Sequence, residues 1–458
     1  MESAANEFSA QSTGVDAPAT YLPAIRAAAA DPKALEDLHA AARRDHAADR
    51  FAADLLTAYH AQPENLLYAA WFYRLGGALP ARQVAYWQQA IPLSILLGLA
   101  LWLLSAPGLK FELHTASGGE MYFPYLALLW APVTAAFIIG FLAFAVRQHA
   151  ARAGLVIAGL AALTAYVVFV PGLRSSATQT SYLTLMLAHV PLLAWCGLGL
   201  FVLGWGSSAL NRFAFLTKSI EVIGTAGVAA IVGVIFVGLT VALFQALGIN
   251  LDQNVARIFL VGGGGLIPVL AVAAVYDPAL SPGEQEFRRG FGRILVVILQ
   301  ALLPLALLML VVYVAFIPFN FGQPFTHRDV LIVYNVLLFA AMGLLLGVTP
   351  IAAGEVAPRL ARWLRLGIIA VAALVTLVSL YALAAVVYRT TQGALTMNRL
   401  AVIGWNLANI VILVALLLKQ ARAGREGWVA ALQSTFRFGT AVYLAWGLLL
   451  TLALPWLF

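Results

Sequence analysis

The pattern that organises this chain is a series of eleven apolar runs between residue 87 and its last residue. Each run is close to the roughly 20 residues that an α-helix needs to cross a bilayer. The runs occupy residues 87–106, 122–146, 154–172, 182–206, 220–247, 256–276, 294–319, 329–350, 366–388, 398–418 and 438–457. They predict an all-α fold, a polytopic transmembrane helix bundle of about eleven spans over residues 87–458.

The composition points the same way. Of all residues, 62% are hydrophobic and only 10% are charged, and the mean hydropathy is +0.90. Soluble domains carry roughly 25% charged residues, so the bilayer is the expected solvent and partner of this chain. The net charge of +7 comes from basic residues in short loops beside the spans, which indicates orientation in the membrane and no nucleic-acid partner.

Loop charge predicts that orientation. With the N-terminus placed in the cytoplasm, sixteen basic residues lie on the cytoplasmic side of the eleven runs and six lie on the opposite side. Short cytoplasmic loops favour lysine and arginine. The sequence therefore predicts a multi-pass protein of the inner (plasma) membrane with a cytoplasmic N-terminus and an external C-terminus.

The segment before the first run predicts a separate soluble region. Residues 1–20 are small and polar, lack the apolar core of a secretory signal and are expected to be disordered. Residues 21–80 predict a cytoplasmic helical hairpin, with one helix over 34–60 and a second over 65–75. Two interpretations stay open: a hairpin packed on the loops of the bundle, and a module that docks a protein partner.

A glycine-rich segment interrupts the sixth run. It consists of Gly262, Gly263, Gly264 and Gly265, followed by Pro268. Glycine costs about 1 kcal/mol relative to alanine inside a helix, and broken backbone at membrane depth must be buried in protein or line a wet cavity. The segment predicts a helix break that exposes backbone to a solute, or a close approach of a neighbouring helix.

Charges near the ends of two runs are candidate mouth residues. Asp252 and Arg257 stand at the start of the sixth run, where they would recruit an ion or serve as a helix cap and an interfacial arginine. Glu221 opens the fifth run three residues after Lys218, a spacing that permits an ion pair on one helix face. Acidic groups near membrane depth are functional candidates.

The tenth run is the most polar, and it supplies the best candidates for a solute path. Arg399, Asn406 and Asn409 recur at intervals of seven and three, which places them on one helical face. Further candidates for the same path are Thr396, Asn398, Arg389, Asn335 and Gln300. Such a stripe must face protein or water, so it predicts either a solute path or hydrogen bonds between helices.

A basic segment precedes the ninth run. Arg359, Arg362 and Arg365 follow one another at intervals of three, with apolar residues between them. This pattern predicts a short interfacial helix whose arginines contact anionic lipid headgroups, each worth about 1 kcal/mol.

Signatures of soluble enzymes are absent from the sequence. It contains no HExxH, no phosphate-binding Walker loop, no GxSxG and no paired cysteine–histidine spacing. Its single cysteine, Cys196, rules out an internal disulfide. No cofactor or metal is therefore predicted, and catalysis stays uncertain because a membrane enzyme acting on lipid would need none of these motifs.

Two segments resemble a known family. Leu395, Thr396 and Arg399 fall in register with the "G-L-T-x-x-R" signature of bacterial DUF4153 membrane proteins, although Ala394 separates Gly393 from Leu395. The stretch from 302 to 313, which contains Pro304, is similar to that family's proline–leucine span ending in tyrosine. The resemblance covers roughly residues 220–415 and implies a bacterial inner-membrane protein of many helices, without implying an activity.

Two functions follow as hypotheses. The first is a transporter or permease-like bundle with a polar path among spans 6–10, which rests on the glycine segment and the polar stripe. The second is a scaffold or sensor that binds a partner through residues 21–80. No Asp or Glu occupies the centre of any run, which argues against proton coupling through a buried carboxylate.

Overall fold

The computed structural model describes residues 20–44, 47–75, 86–114, 120–170, 175–247, 249, 252–287, 290–352, 354, 356–424 and 426–458. The disorder expected for residues 1–20 concerns a segment that lies almost entirely outside these ranges. The chain divides into two compact units, Met1–Val84 and Ala85–Phe458.

The N-terminal unit contains four helices where the sequence predicted two. They are α1 (Leu22–Ala27), α2 (Pro32–Arg44), α3 (Ala48–Ala61) and α4 (Leu66–Arg74). The predicted helix over 34–60 is thus two helices, α2 and α3. The last helix begins after Asn65, whose side-chain oxygen accepts hydrogen bonds from the backbone N–H groups of Leu67 (3.0 Å) and Tyr68 (3.2 Å), as an N-cap does.

Aromatic side chains build the core of this unit. Phe51 and Trp71 are buried and pack edge to face, and the imidazole of His39 lies 5.4 Å and 5.3 Å from their respective ring centroids. The buried hydroxyl of Tyr68 donates to the carbonyl of Ile25 at 3.0 Å, which ties α4 to α1. Short helices like these gain most of their stability from such packing rather than from intrinsic propensity.

The second unit is a bundle of long apolar helices, as the apolar runs predict. Its elements are α5 (Trp87–Leu104), β1 (Lys110–His114), β2 (Glu120–Pro124), α6 (Tyr125–Val146), α7 (Ala150–Phe169), α8 (Ser176–Leu203), α9 (Ala209–Ala246), α10 (Gln253–Arg257), α11 (Gly263–Val275), α12 (Gly290–Phe316), α13 (Gln323–Thr326), α14 (Arg328–Gly347), α15 (Pro358–Thr391), α16 (Met397–Arg422) and α17 (Trp428–Leu457).

Ten helices in the described part of the chain are long and apolar enough to cross a membrane. They correspond to ten of the eleven predicted runs, and the remaining run is a shorter apolar helix over Leu331–Gly347. The protein is therefore a multi-pass, all-α membrane bundle in contact with lipid, and the predicted fold class is confirmed. The count of about eleven spans agrees with these ten helices together with α14, which covers the remaining run.

A β-hairpin between the first two spans was not predicted. Strands β1 and β2 pair antiparallel, with Lys110 opposite Pro124 and His114 opposite Glu120. The second apolar run was expected to be helical from residue 122, but residues 120–124 are extended and α6 begins at Tyr125. A hairpin this short leaves a weak pattern beside a long hydrophobic run, because it supplies few alternating positions.

The helices pack around shared apolar clusters. Ile368 and Leu413 are fully buried in a cluster formed by α9, α12 and α14–α17. Leu97 and Ile139 are fully buried in a second cluster formed by α5–α8 and α11. Tyr182 of α8 lies in a third cluster with α7, α16 and α17. Consecutive helices α15, α16 and α17 pack side by side, and α8 packs against α17.

The glycine segment does not break its helix. Residues Ile258–Gly262 form a π-helical turn that continues directly into α11. A Cβ on Gly265 would lie 2.7 Å from the Cα of Gly98 in α5, and a Cβ on Gly98 would lie 2.6 Å from the carbonyl oxygen of Gly262. The glycines therefore place two helix backbones in contact, which is how small residues act at helix interfaces in membranes.

We expect Gly265→Ala to destabilise the bundle, because its methyl group would overlap the backbone of α5. Overpacking of this kind costs about 1–3 kcal/mol. Gly263→Ala is the matched control, since no atom lies within 4 Å of its Cβ position. Thermal unfolding of both variants in detergent measures the difference. Equal melting temperatures for the two would contradict the close contact between α5 and α11.

The N-terminal unit should lose stability in mild acid. Burial between aromatic rings lowers the pKa of His39 below its ordinary value of 6.5, against the opposing effect of Glu36. The folded unit thus favours the neutral imidazole. Its contribution to stability is complete above pH 6.5 and is lost as the pH falls through the lower pKa of the folded state.

Amide hydrogen exchange of α3 and α4 in the full-length protein measures the predicted loss of stability in mild acid. After correction for intrinsic rates, protection should fall between about pH 7.5 and about pH 5. His39→Gln should remove that fall, whereas His60→Gln should keep it because His60 is exposed. A fall of the same size in the His39 variant would assign it to other groups.

Candidate functional site: an arginine-lined cavity

Two of the predicted stripe residues on α16 are buried and bonded to neighbouring helices. Asn406 donates to the side-chain oxygen of Asn335 in α14 at 2.9 Å. Asn409 accepts a hydrogen bond from the hydroxyl of Tyr443 in α17. Their amide groups also donate to backbone carbonyls one turn earlier in α16. These amides therefore link three helices, which is one of the two roles the sequence left open.

A third link joins α16 to α8, where His189 is buried. The sequence does not identify its partner. The indole N–H of Trp405 donates to Nε2 of His189 at 2.9 Å, and Nδ1 of His189 lies 2.7 Å from the carbonyl oxygen of Leu185. Because an indole can only donate, Nε2 must accept and the proton must sit on Nδ1. The imidazole is thus neutral and joins α16 to α8.

The other end of the stripe opens into a cavity of about 1050 Å³, which we call the arginine cavity. Its walls come from the first turns of α8 and α16, the first half of α14, the last turns of α15, the connection between α15 and α16, and Phe458 after α17. Its polar lining consists of Thr178, Ser181, Asn335, Arg389, Thr396, Asn398 and Arg399. None of the described residues that line it is acidic.

Local structure around the connection positions Arg399. The hydroxyl of Thr396 accepts a hydrogen bond from the backbone N–H of Arg399 (3.3 Å) and so caps the start of α16. The guanidinium then turns back to the carbonyl of Ala394, with Nη1 at 2.7 Å. A Cβ on Gly393 would lie 3.1 Å from that same Nη1, so glycine leaves room for the guanidinium over the loop.

Arg389 brings a second guanidinium to the cavity. Seven shielded side-chain nitrogen and oxygen atoms have no hydrogen-bond partner among the described residues, and Nη1 of Arg389 is the one on the wall of this cavity. A buried donor without a partner is costly, more so when it carries charge. Two arginines and an unsatisfied donor, with no Asp or Glu side chain among the described lining residues, make the cavity suited to an anion.

Gln300 and Glu221 lie elsewhere, on a smaller cavity of about 400 Å³ that we call the glutamate cavity. It is lined by α9, α12, the end of α14 and the start of α15, so the structure separates Gln300 from the other stripe residues. Glu221 pairs with Lys218 at 2.8 Å, and both are buried. The ammonium also donates to the carbonyls of Val275 (3.3 Å) and Glu286. Glu221 therefore forms an ion pair in the protein interior.

Apolar packing separates the two cavities. Helix α14 lines the arginine cavity with Leu331 and Asn335 and the glutamate cavity with Gly347. Between them, Leu338 and Leu345 are buried in the cluster shared with α12, α15 and α16. Apolar side chains of α14 thus fill the space between the two cavities, and the path among spans 6–10 stays a prediction.

Asp252 and Arg257 form hydrogen bonds at the ends of helices. Asp252 accepts from the backbone N–H of Asn254 at 3.0 Å and caps α10. Arg257 donates to the carbonyl of Trp102 (3.0 Å) and to the hydroxyl of Ser105, at the end of α5. Asp252 and Arg257 therefore bond to different partners. Pro268 lies inside α11, beyond the glycine contact.

The three arginines before the ninth span differ in their contacts. Arg365 donates to the carbonyls of Gln420 (2.8 Å) and Ala423 (2.6 Å) at the end of α16, where cations are favoured. Arg359 and Arg362 are exposed at the start of α15. Headgroup contact thus stays a prediction for Arg359 and Arg362, whereas Arg365 has protein partners.

Fold and site together define a multi-pass helical membrane protein with a cationic cavity between its helices. No family model matches the chain, and no curated protein or solved structure shows significant similarity to it. The resemblance to the DUF4153 family therefore stays a prediction. The functional argument rests on the residues of the arginine cavity.

The bond between Asn409 and Tyr443 should be measurable by a double-mutant cycle. Asn409→Ala leaves a buried hydroxyl without its acceptor, so we expect destabilisation that largely disappears once Tyr443→Phe is present. Coupling between polar groups in membrane bundles averages about 0.6 kcal/mol and reaches about 1.7 kcal/mol. Unfolding in mixed micelles of dodecyl maltoside and dodecyl sulfate gives the four free energies.

Tyr381 offers a matched control for that cycle, because its hydroxyl donates to the carbonyl of Phe321 and shares no partner with Asn409. Asn409→Ala and Tyr381→Phe should add within about 0.3–0.5 kcal/mol. Additivity of the Asn409 and Tyr443 variants as well would show that this hydrogen bond contributes nothing to stability.

Proposed function

We propose that this protein is a membrane transporter of the permease type that binds an anion in the arginine cavity. The observation that carries the proposal is the shielded Nη1 of Arg389, which has no partner among the described residues, in a cavity that also contains Arg399 and, among its described lining residues, no Asp or Glu. Arginines that line a cavity between transmembrane helices commonly mark substrate pathways. A carboxylate or phosphate group would satisfy the free donor.

The arrangement of the two cavities supports transport over simple binding. They lie toward opposite ends of α14, with closed apolar packing between them. A transporter needs a site that opens to one side at a time, usually by rocking of one group of helices against another. Helices α14 and α15 line both cavities. Since α15 packs along α16 more extensively than α14 does, we propose α14 as the moving element.

Orientation and family membership belong to the same proposal. The bias of basic loop residues supports a cytoplasmic N-terminal unit and an external residue 458 in a bacterial inner membrane. In that orientation the arginine cavity lies toward the outer leaflet. Thr396 and Arg399, the positions shared with the DUF4153 signature, lie at the cavity, which gives that short motif a physical role.

A second candidate function is a scaffold or sensor that docks a partner through residues 21–80. The observation that favours it is the compactness of the N-terminal unit, which has its own core. On its surface Leu66 is 85% exposed and Tyr73 is 70% exposed. The closed packing between the cavities also fits a bundle that transports nothing.

Uptake into proteoliposomes tests the transport proposal. The probes are radiolabelled inorganic phosphate and succinate, which present the two anionic groups that a guanidinium pair prefers. Vesicles with the wild-type protein should accumulate at least one probe faster than empty vesicles. Arg389→Gln should lower that rate about tenfold or more, because a hydrogen bond to a charged group is worth about 1.5–3 kcal/mol.

Arg362→Gln is the matched control, since Arg362 is exposed on the same helix and does not line the cavity. Its uptake should equal that of the wild type. Equal rates for the Arg389 and Arg362 variants would remove the arginine cavity from the transport path. Folded wild-type protein that takes up neither anion would contradict transport of these soluble anions. It would favour the scaffold function.

A further inference from the structure

The arginine cavity has an apolar wall that a small hydrophilic anion would not use. Besides its polar residues, its lining includes Leu331, Ile332 and Val336 from α14 together with Val386 and Val402. These aliphatic side chains line the same space as both guanidinium groups. The cavity is therefore amphipathic, with charge on one side and hydrocarbon on the other.

The apolar wall is continuous with the lipid-facing surface of α14. Ile332 is 53% exposed and Val336 is 64% exposed, although both line the cavity. In a membrane bundle such side chains are covered by lipid tails. The cavity is thus reachable sideways from the bilayer as well as from its polar end.

The size of the cavity and the depth of its arginines fit a lipid. About 1050 Å³ lies at the upper end of the roughly 300–1000 Å³ typical of sites for drug-sized ligands, far more than one inorganic anion fills. Arg389 is the third residue from the end of α15, and Arg399 lies in the first turn of α16. Arginines near helix ends sit at headgroup level.

We infer that the ligand of this cavity is an anionic phospholipid that enters from the bilayer. Its phosphate accepts hydrogen bonds from Arg389 and Arg399, and an acyl chain lies along Ile332 and Val336. The amide of Asn335, which is bonded to Asn406, lies on the cavity wall beside the headgroup. The inference deepens the proposed function, on which it rests for the anionic character of the ligand, and it names a substrate that comes from the membrane.

Native mass spectrometry of the full-length protein tests the inference. Dioleoyl phosphatidylglycerol, which is anionic, is added beside dioleoyl phosphatidylcholine, which is zwitterionic, and inorganic phosphate is the free anion in a separate arm. The wild-type protein should retain phosphatidylglycerol in preference to phosphatidylcholine. Arg389→Gln should reduce the bound phosphatidylglycerol about tenfold or more. Arg43→Gln, at an exposed arginine of α2 in the N-terminal unit, should leave it unchanged.

A second pair of variants tests the chain-binding wall. Val336→Trp fills the cavity, whereas Val333→Trp adds the same bulk at a position of α14 that is equally exposed but does not line the cavity. Only the first should reduce phosphatidylglycerol retention. This pair keeps the inference testable if the arginine variant fails to fold.

The outcomes separate the inference from the proposed function. Equal retention of the two lipids, with phosphate binding lost in Arg389→Gln, would overturn the lipid and keep a small-anion site. Equal effects of the two tryptophan variants would also overturn the lipid. Selective lipid retention in a protein that moves neither soluble anions nor fluorescent phosphatidylglycerol between leaflets would support the lipid site and overturn transport.

Discussion

Hydrocarbon offers no hydrogen bonds, so every polar group inside this bundle must find its partner within the protein. Side chains of helix α16 supply several of these hydrogen bonds. Trp405, Asn406 and Asn409 occupy neighbouring positions on it and bond to α8, α14 and α17 respectively. The relative rotation of four helices thus depends on one short stretch of α16. Nη1 of Arg389, nearby on α15, lacks such a partner among the described residues, which makes it the natural place for a ligand.

The apolar runs predict the helices well because crossing a bilayer requires long, uninterrupted hydrophobic segments, and few soluble elements imitate them. The ends of the helices are harder to predict, since a helix continues past the hydrocarbon into polar sequence. Helix α9 covers Ala209–Ala246, about 57 Å at 1.5 Å per residue, whereas its apolar run covers 220–247. The break between α2 and α3 escaped prediction because alanine-rich sequence on both sides favours helix equally.

The site is less predictable than the fold, for a geometric reason. Spacing along one helix shows which residues share a face, and it placed Arg399, Asn406 and Asn409 together. It does not show which neighbouring helix that face meets, so Tyr443 and Trp405 were not identified as partners. Gln300 was assigned to the same path because the rotation of α12 about its axis is invisible in sequence; the structure places it on the glutamate cavity instead.

The strengths of these interactions suggest how ligand and conformation are coupled. A single bond between amides in a membrane bundle, such as that of Asn335 with Asn406, is worth only about 0.6 kcal/mol. A guanidinium bonded to an anion contributes about 1.5–3 kcal/mol. A ligand bonded to Arg389 of α15 and Arg399 of α16 that also contacts Ile332 and Val336 of α14 can therefore outweigh the amide link that holds α14 against α16. Since a ligand shifts a conformational equilibrium only by its differential affinity for the two states, this imbalance allows occupancy of the cavity to set the position of α14.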